Sequence, residues 1–374
     1  MSIIEQFRQI SDERIGNLHN ESHRNDEEEE DKDENEFSFD KFIEKQGEHN
    51  IHHIIGFDIN DFNCLFRFLK TSLMKIGRGR KTLGEKEKLF VFLSWVSTGI
   101  SFSKLAALLN ISKSAIHRIA QDVTRRIKAK LVSKFIPVSG DEARGYSTIR
   151  KFQNFPSAIG AIDSTIIRIR KPTDNIEQKK FYSGKHKTHC VKIQCIVNSD
   201  GICIHYSGLY PGKKHDIKIF EQSKAHDFLE FQKRLSNGTY NLIRPQLLAD
   251  SGYQGSHRFY PEIIIPVKKT PGRDLTNDEK NHNSDLSQDR ILVENFFGRM
   301  KSLFGITYQE FRGEYNFLNE IIPIVICLTN YHIHRHPLRK ANSIQENESD
   351  SDSFSDFNPE EDRIESQSFN LTIE

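Results

Sequence analysis

Between residues 85 and 131 the apolar positions recur at helical spacing. In "EKEKLFVFLSWVSTG", Leu89, Phe90, Leu93 and Val96 share one face, and Gly99 supplies a stop. "SFSKLAALLN" gathers Leu105, Leu108 and Leu109 and stops at Asn110. "SKSAIHRIAQDVTRRIKAKL" starts behind Ser112, a natural N-cap, and runs its apolar side through Ile116, Ile119, Ala120, Val123 and Ile127. From 157 onward the texture changes to short β-branched runs.

"SAIGAIDSTIIRI", "HCVKIQCIVN" and "GICIHYSGLY" predict three strands, the last two joined by a turn at Ser199-Asp200-Gly201. "DIKIFEQSKAHDFLEFQKRL" predicts a helix, "IRPQLLAD" and "EIIIPVK" two further strands, and "QDRILVENFFGRMKSLFG" a closing helix. A polar, loop-like stretch covers 268–287. "IIPIVICL" at 321–328 is a core segment. Three strands, a helix, two strands and a helix make an α/β domain. The order suits an RNase H-like domain, a mixed five-stranded sheet with helices whose second strand is antiparallel. A small all-α domain precedes it.

Charge changes the picture of the ends. The formal net charge is only +1, but residues 21–40 hold 11 acids against 2 bases, and 341–374 hold 10 acids against Arg363 alone. Such stretches bury too little apolar surface to fold alone, so 1–40 and 341–374 are expected to be disordered acidic segments that solubilise the chain. With 1–20 also set aside, residues 41–340 hold 48 basic and 28 acidic residues, a body near +20 that suits a polyanionic partner. Domains are therefore placed at 41–135, helical, and 157–335, α/β. Five cysteines without a C-x-x-C pair argue against a disulfide framework or thiolate zinc site. No apolar run approaches the roughly 18 residues of a membrane span. The expectation is a soluble intracellular protein.

In a basic body, the helices around the "NIS" turn within 85–131 fit a helix-turn-helix. Its second helix would present Lys113, Ser114, His117 and Arg118 to base edges, although an ordinary helical hairpin has the same pattern. Lys185, His186, Lys187, Lys192, Lys213 and Lys214 are candidates for a DNA channel or simply a solvated face. "GRGRK" at 77–81 is best read as a flexible basic linker, and "HIHRH" at 332–336 as a surface helix end rather than a zinc site.

Four acids stand at chemically interesting points. Asp163 interrupts "AIGAIDSTII", Asp250 ends "PQLLAD", Asp216 follows "PGKKH" at a helix start, and Glu294 sits on the apolar helix of "RILVENFFGRMK". Each alone could be a cap, a turn former or an ion-pair partner, and Asp216 suits a helix N-terminus anyway. Converging carboxylates would repel and raise some of their pKa values unless hard divalent cations joined them. Two such ions roughly 4 Å apart serve in-line phosphoryl displacement. Spacing alone leaves convergence open. Arg290 and Lys301, near the helical face of Glu294, could contact phosphate or balance the acids.

Five motifs in order, "GAIDSTIIRIRKP", "YSGKHKTHCVKIQ", "PGKKHDIKIF", "LLADSGYQG" and "RILVENFFGRMKSLFG", resemble the DDE transposases of the Harbinger and IS5-like group, whose DDE endonuclease domain follows a comparable helical module. Together they cover about 80–335. The resemblance implies that Asp163, Asp250 and Glu294 form the catalytic triad on an RNase H-like fold and that Asp216 joins them in holding Mg²⁺, or Mn²⁺ in its place. It implies cleavage at transposable-element ends by a Mg²⁺-activated water, then attack of the freed 3′-hydroxyl on target DNA. Ser164-Thr165 after Asp163, where many members have Gly-Thr, and the 43 residues between Asp250 and Glu294, more than the group's usual spacing, are departures that remove no ligand. Expected partners are element ends and target DNA, a homo-oligomer, and an optional accessory DNA-binding protein, with no membrane. A nucleus in a eukaryotic host, or a bacterial nucleoid, would be the address. A domesticated, non-cutting DNA binder is the alternative. A glycosidase using paired carboxylates fits the basic body poorly.

Overall fold

The computed structural model describes residues 37–74, 83–136, 151–223, 225, 227–228, 246–256 and 259–338. Residues 1–36 of the first acidic stretch, the acidic tail 341–374 and "GRGRK" at 77–81 lie outside them. Helix α1, Phe39–Gln46, begins two residues inside the acidic interval: Ser38 caps it and Phe39 is buried. Then follow α2 (Ile51–Ile55), α3 (Ile59–Leu73), α4 (Glu85–Thr98), α5 (Phe102–Leu109) and α6 (Lys113–Phe135). The expected caps are in place. Gly99 ends α4 and Asn110 ends α5 in the left-handed region, and the Ser112 hydroxyl accepts the Ala115 amide N–H at the start of α6.

The sheet follows: β1 (Ala158–Arg168), α7 (Asn175–Phe181), β2 (Tyr182–Ser183), β3 (Thr188–Val197), β4 (Cys203–Tyr206), β5 (Tyr210–Pro211), α8 (Asp216–Gln222), β6 (Gln246–Leu248) and β7 (Ile263–Ile264). It is mixed, in the order β2-β3-β1-β6-β7, with β4 and β5 also paired to β3. β3 runs antiparallel to β1, as expected, whereas β6 is parallel to β1 and β7 parallel to β6. The five predicted strands are thus present, with the two-residue β2 and β5 added on β3. Asn198 shapes the β3–β4 turn, its side-chain oxygen accepting from the Asp200 and Ile202 N–H groups. Most of the helix expected beyond Gln222 lies outside the described residues.

Helix α9, Asn277–Leu303, corrects the sequence expectation. The polar composition of 277–287 predicts a loop, yet these residues form its first turns. A capping box starts them: Thr276 accepts from the Glu279 N–H, and Glu279 accepts from the Thr276 N–H. Little of this part is apolar, so no stripe announces it. The helix is anchored at Asp289, a buried carboxylate that accepts from the Asn154 and Phe155 N–H groups at 2.8 and 3.0 Å. The long interval between Asp250 and Glu294 is partly this helical extension.

The last helix, α10 (Tyr315–Arg335), buries every residue from Ile321 to Tyr331. It packs against α6, and one contiguous apolar cluster runs from Phe39 through β1 and β3 to Ile333. Burying an isoleucine or leucine there contributes about 1.5–3 kcal/mol. Buried Asn330 ties three elements together. Its amide nitrogen donates to the Phe135 and Cys203 carbonyls, and its oxygen accepts from the Cys203 N–H. Cys190, Cys195, Cys203 and Cys327 are buried and, with half-buried Cys64, unpaired by disulfides. No helix among the described residues is long and apolar enough to cross a membrane.

Candidate metal centre

Strand register brings Asp163 and Asp250 side by side. Ala161 pairs with Leu248 on parallel strands, and each acid lies two residues further along its own chain. Adjacent strands lie about 4.8 Å apart, so the two carboxylates emerge at one end of the sheet. Asp163 Oδ1 accepts from the Ser164 N–H at 2.7 Å. Asp250 caps the turn Ser251–Tyr253, its Oδ1 accepting from the Gly252 N–H at 2.8 Å.

Gly252 leaves room for a close approach of two acids. A Cβ there would lie 2.9 Å from Asp250 Oδ1 and 3.3 Å from Asp216 Oδ2, which also places the third acid beside the second. Gly255, at φ +87°, then turns the chain away in a conformation that costs other residues more. Asp216 opens α8, and the Lys192 ammonium donates to its Oδ1 at 3.0 Å. Lys192, a candidate for the DNA channel or a solvated face, is 12% exposed and committed to this acid.

Glu294 approaches from α9 and is the most open of the four, its side chain 59% exposed. One turn earlier, Arg290 places Nη2 3.9 Å from both Glu294 Oε1 and Asp163 Oδ2, linking helix acid to strand acid. Electrostatics agree with the grouping. Burial pushes the Asp163 carboxyl up to about 6. The Ser164 N–H and Arg290 hold it down, while the charges of Asp250 and Asp216 push it further up. The site sets four carboxylates against Lys192 on Asp216, Arg290 between Asp163 and Glu294, and the Lys301 charge acting on Asp163. Four carboxylates with partly free oxygens fit a hard, oxygen-seeking divalent ion.

No three of the four acids bring their ligand atoms within 4.8 Å of one another. Among the described residues, the group whose ligand atoms all lie within 4.8 Å of one another is Asp58, Asp61 and His336, elsewhere in the molecule. That group is satisfied internally. Asp61 pairs with Arg335 and accepts from His336 at 2.9 Å, and Asp58 Oδ1 accepts from the Asp61 N–H. "HIHRH" is therefore not a free surface end: Arg335 and His336 clasp a buried aspartate. His332 bonds Arg299, and burial with the Arg299 charge lowers its pKa to about 4.

The basic candidates occupy two places. Lys113, Ser114, His117 and Arg118 are all exposed on the first turns of α6, where the His117 ring meets Phe102 of α5 edge-on. Lys185 and Lys187 are exposed at the β2–β3 turn, and Lys187 takes a left-handed φ of 51°. This turn borders the acids: the neighbouring His186 is lowered in pKa by burial and by Lys185, Lys192 and Lys301, and raised by Asp216. Lys213 is exposed, whereas Lys214 lies over the Tyr210 ring and donates to Gln222. Sequence reasoning passed over Gln194 and Tyr253, polar groups buried beneath the acids. Their only signal was position, one on a strand and one in the turn that carry site residues.

Residues 162–330 match the DDE superfamily endonuclease family. The matched stretch contains all four acids. A probable transposase for insertion sequence element IS702 of Microchaete diplosiphon is 28% identical over 172 residues, which cover 46% of this chain and 56% of that relative. The chain thus spans little more than half the length of the relative. No solved structure matches significantly.

Proposed function

We propose that the protein is a metal-dependent DNA endonuclease and transposase of the Harbinger and IS5-like group. It would cut at transposable-element ends and join the freed 3′-hydroxyl to target DNA. The observation that carries this is the in-register emergence of Asp163 and Asp250 from adjacent parallel strands, with Asp216 against the second and Glu294 joined to the first through Arg290. The sheet order and directions support an RNase H-like catalytic domain at 157–335, following a helical domain at 41–135.

In this reading Asp163, Asp250 and Glu294 are catalytic, and with Asp216 they hold the divalent ions, Mg²⁺ or Mn²⁺. Bound ions supply Lewis-acid stabilisation of the oxygens that gain charge in in-line displacement. The chain's own residues orient that chemistry. Asp163 and Asp250 are clamped by backbone N–H groups, and exposed Glu294 faces the approaching backbone. Lys185, Lys187, Lys213 and Lys214 would take DNA phosphates beside the acids. Lys113, Ser114, His117 and Arg118 would read the element end as part of a helix-turn-helix formed by α5 and α6. The homo-oligomer, an accessory DNA-binding protein and a nuclear or nucleoid address belong to the same proposal.

The test is nicking of DNA that carries candidate element ends, with Mg²⁺ or Mn²⁺, comparing wild type with Asp250→Asn. Metal-dependent cutting that disappears in the variant supports the proposal. Cutting that survives Asp250→Asn overturns it. Equal DNA binding with no cutting by either protein, and no divalent-ion binding, would instead identify a non-cutting DNA binder.

A further inference from the structure

Two polar side chains lie in the floor of the candidate metal centre. Tyr253 is fully buried, and Gln194 on β3 is 1% exposed. Gln194 Nε2 donates to the Asp216 carbonyl at 3.0 Å and to the Tyr253 hydroxyl at 2.6 Å. A carbonyl only accepts, so the Gln194 group facing Asp216 must be the NH₂. Its Oε1 meets no hydrogen-bond partner among the described residues. The Tyr253 oxygen accepts from Gln194 and keeps its own proton. Burial, together with the charges of Asp216, Asp163 and Asp250, raises the phenol well above its ordinary pKa, with the Ser164 hydroxyl beside it.

The connectivity gives this pair its significance. Asp216 opens the helix after β5, while Asp250 begins the turn after β6 that ends in Tyr253. The path from the Asp216 carbonyl through Gln194 to Tyr253 joins two segments that are distant in sequence. Above it the two carboxylates converge on Gly252.

We propose that Gln194 and Tyr253 form a buried brace that fixes the separation of Asp216 and Asp250, making both positioning residues for divalent-ion selection. This rests on the ion-ligand role proposed above. Mg²⁺ demands near-ideal octahedral geometry at short distances, whereas Ca²⁺ accepts six to eight oxygens in flexible arrangements. A fixed separation therefore serves Mg²⁺ more than Ca²⁺, and loosening it should erode that preference.

The experiment titrates Mg²⁺ and Ca²⁺ separately into the full chain by calorimetry, using wild type, Tyr253→Phe, Gln194→Met and Asp250→Asn. Tyr253→Phe deletes only the hydroxyl. It is expected to weaken Mg²⁺ about 10–100-fold, the usual cost of removing an outer-shell partner, and Ca²⁺ by less than about threefold. Gln194→Met should shift the ratio in the same direction, and it decides the matter if Tyr253→Phe does not fold. A variant that is merely part-unfolded loses both ions in proportion and leaves the ratio unchanged. If the ratio stays at the wild-type value in the folded variants while Asp250→Asn abolishes binding, the acids are ligands and the brace is refuted. If wild type binds neither ion, the ligand role fails and the brace with it.

Discussion

Two acid clusters in this molecule invite opposite treatment. Asp58, Asp61 and His336 come closer together than the strand-end acids do, and by ligand spacing alone they are the better chelator. Yet Asp61, its side chain 2% exposed, is matched by Arg335 and His336, and Asp58 is spent on the first turn of α3. At the sheet end, Arg290 stays 3.9 Å from each acid it serves, and burial with two neighbouring carboxylates pushes Asp163 up to about 6. The function proposed above thus assigns ions to the looser of the two clusters. What distinguishes the sheet end is a carboxyl whose burial raises its pKa and whose arginine stands 3.9 Å away, where Asp61 has two close partners.

The largest effects should fall on the strand-end cluster. Asp163→Asn and Asp250→Asn are each expected to lower metal-dependent nicking by roughly 10³-fold or more, since ion-mediated charge stabilisation amounts to several kcal/mol. Asp61→Asn should leave nicking per folded molecule unchanged. A nicking assay normalised by circular dichroism checks both, and equal losses at the two clusters would erase the distinction.

Stability should show the reverse order. Arg335→Ala strands a buried carboxylate with only His336 as partner. Breaking a fully buried pair costs about 3–5 kcal/mol; because Arg335 is partly solvated, about 2 kcal/mol is expected here, read by urea denaturation. Divalent ions should not restore it.

The pH dependence separates the clusters further. Asp163 has a folded pKa of about 6 against an ordinary value of 3.8, so between these values the folded chain holds more protons than the unfolded one. The sign follows: this carboxyl's penalty is fully present above about 6, shrinks as pH falls, and is gone below the unfolded value. Without divalent ions, Asp163→Asn should then stabilise the chain by up to about 3 kcal/mol at pH 7.5 and by almost nothing near pH 3.5. Because ion binding needs the carboxylate, wild-type affinity for Mg²⁺ should drop as pH falls through 6. Denaturation and calorimetry at several pH values check both. A pH-independent difference between variant and wild type would mean Asp163 is not the group that titrates.

Much of this comparison could be read from the chain, but unevenly. The amphipathic helices with Gly99, Asn110 and Ser112 at their ends, and the antiparallel β1–β3 pair, follow from local pattern and turn chemistry. The acids at the strand ends were visible because a charge interrupts or closes an apolar run. Three things were not visible. The start of α9 is held by a capping box and by Asp289 reaching Asn154, with too few apolar positions for a stripe. The periodicity of α10 is hidden because it is buried all round. The pairings of Lys192 with Asp216, Gln194 with Tyr253, and Arg335 with Asp61 join residues far apart in sequence, and no local rule distinguishes such a residue from a solvated one.

The smallest expected effect is the sharpest test of the second cluster. Asp58 is exposed and its Oδ1 accepts the Asp61 N–H at 2.7 Å, the geometry of an N-cap. Asp58→Ala removes that acceptor and should cost about 1 kcal/mol. Asp58→Asn keeps an acceptor oxygen and discards the charge, so its cost should be near zero, since asparagine and aspartate cap about equally well. An ion site predicts otherwise: the charge would matter, and Asn would abolish any stabilisation by added divalent ions as completely as Ala. Thermal unfolding of the two variants with and without Mg²⁺ decides between these. Alanine costly, asparagine silent and Mg²⁺ without effect through this position would leave Asp58 a helix cap whose nearness to Asp61 is a consequence of capping.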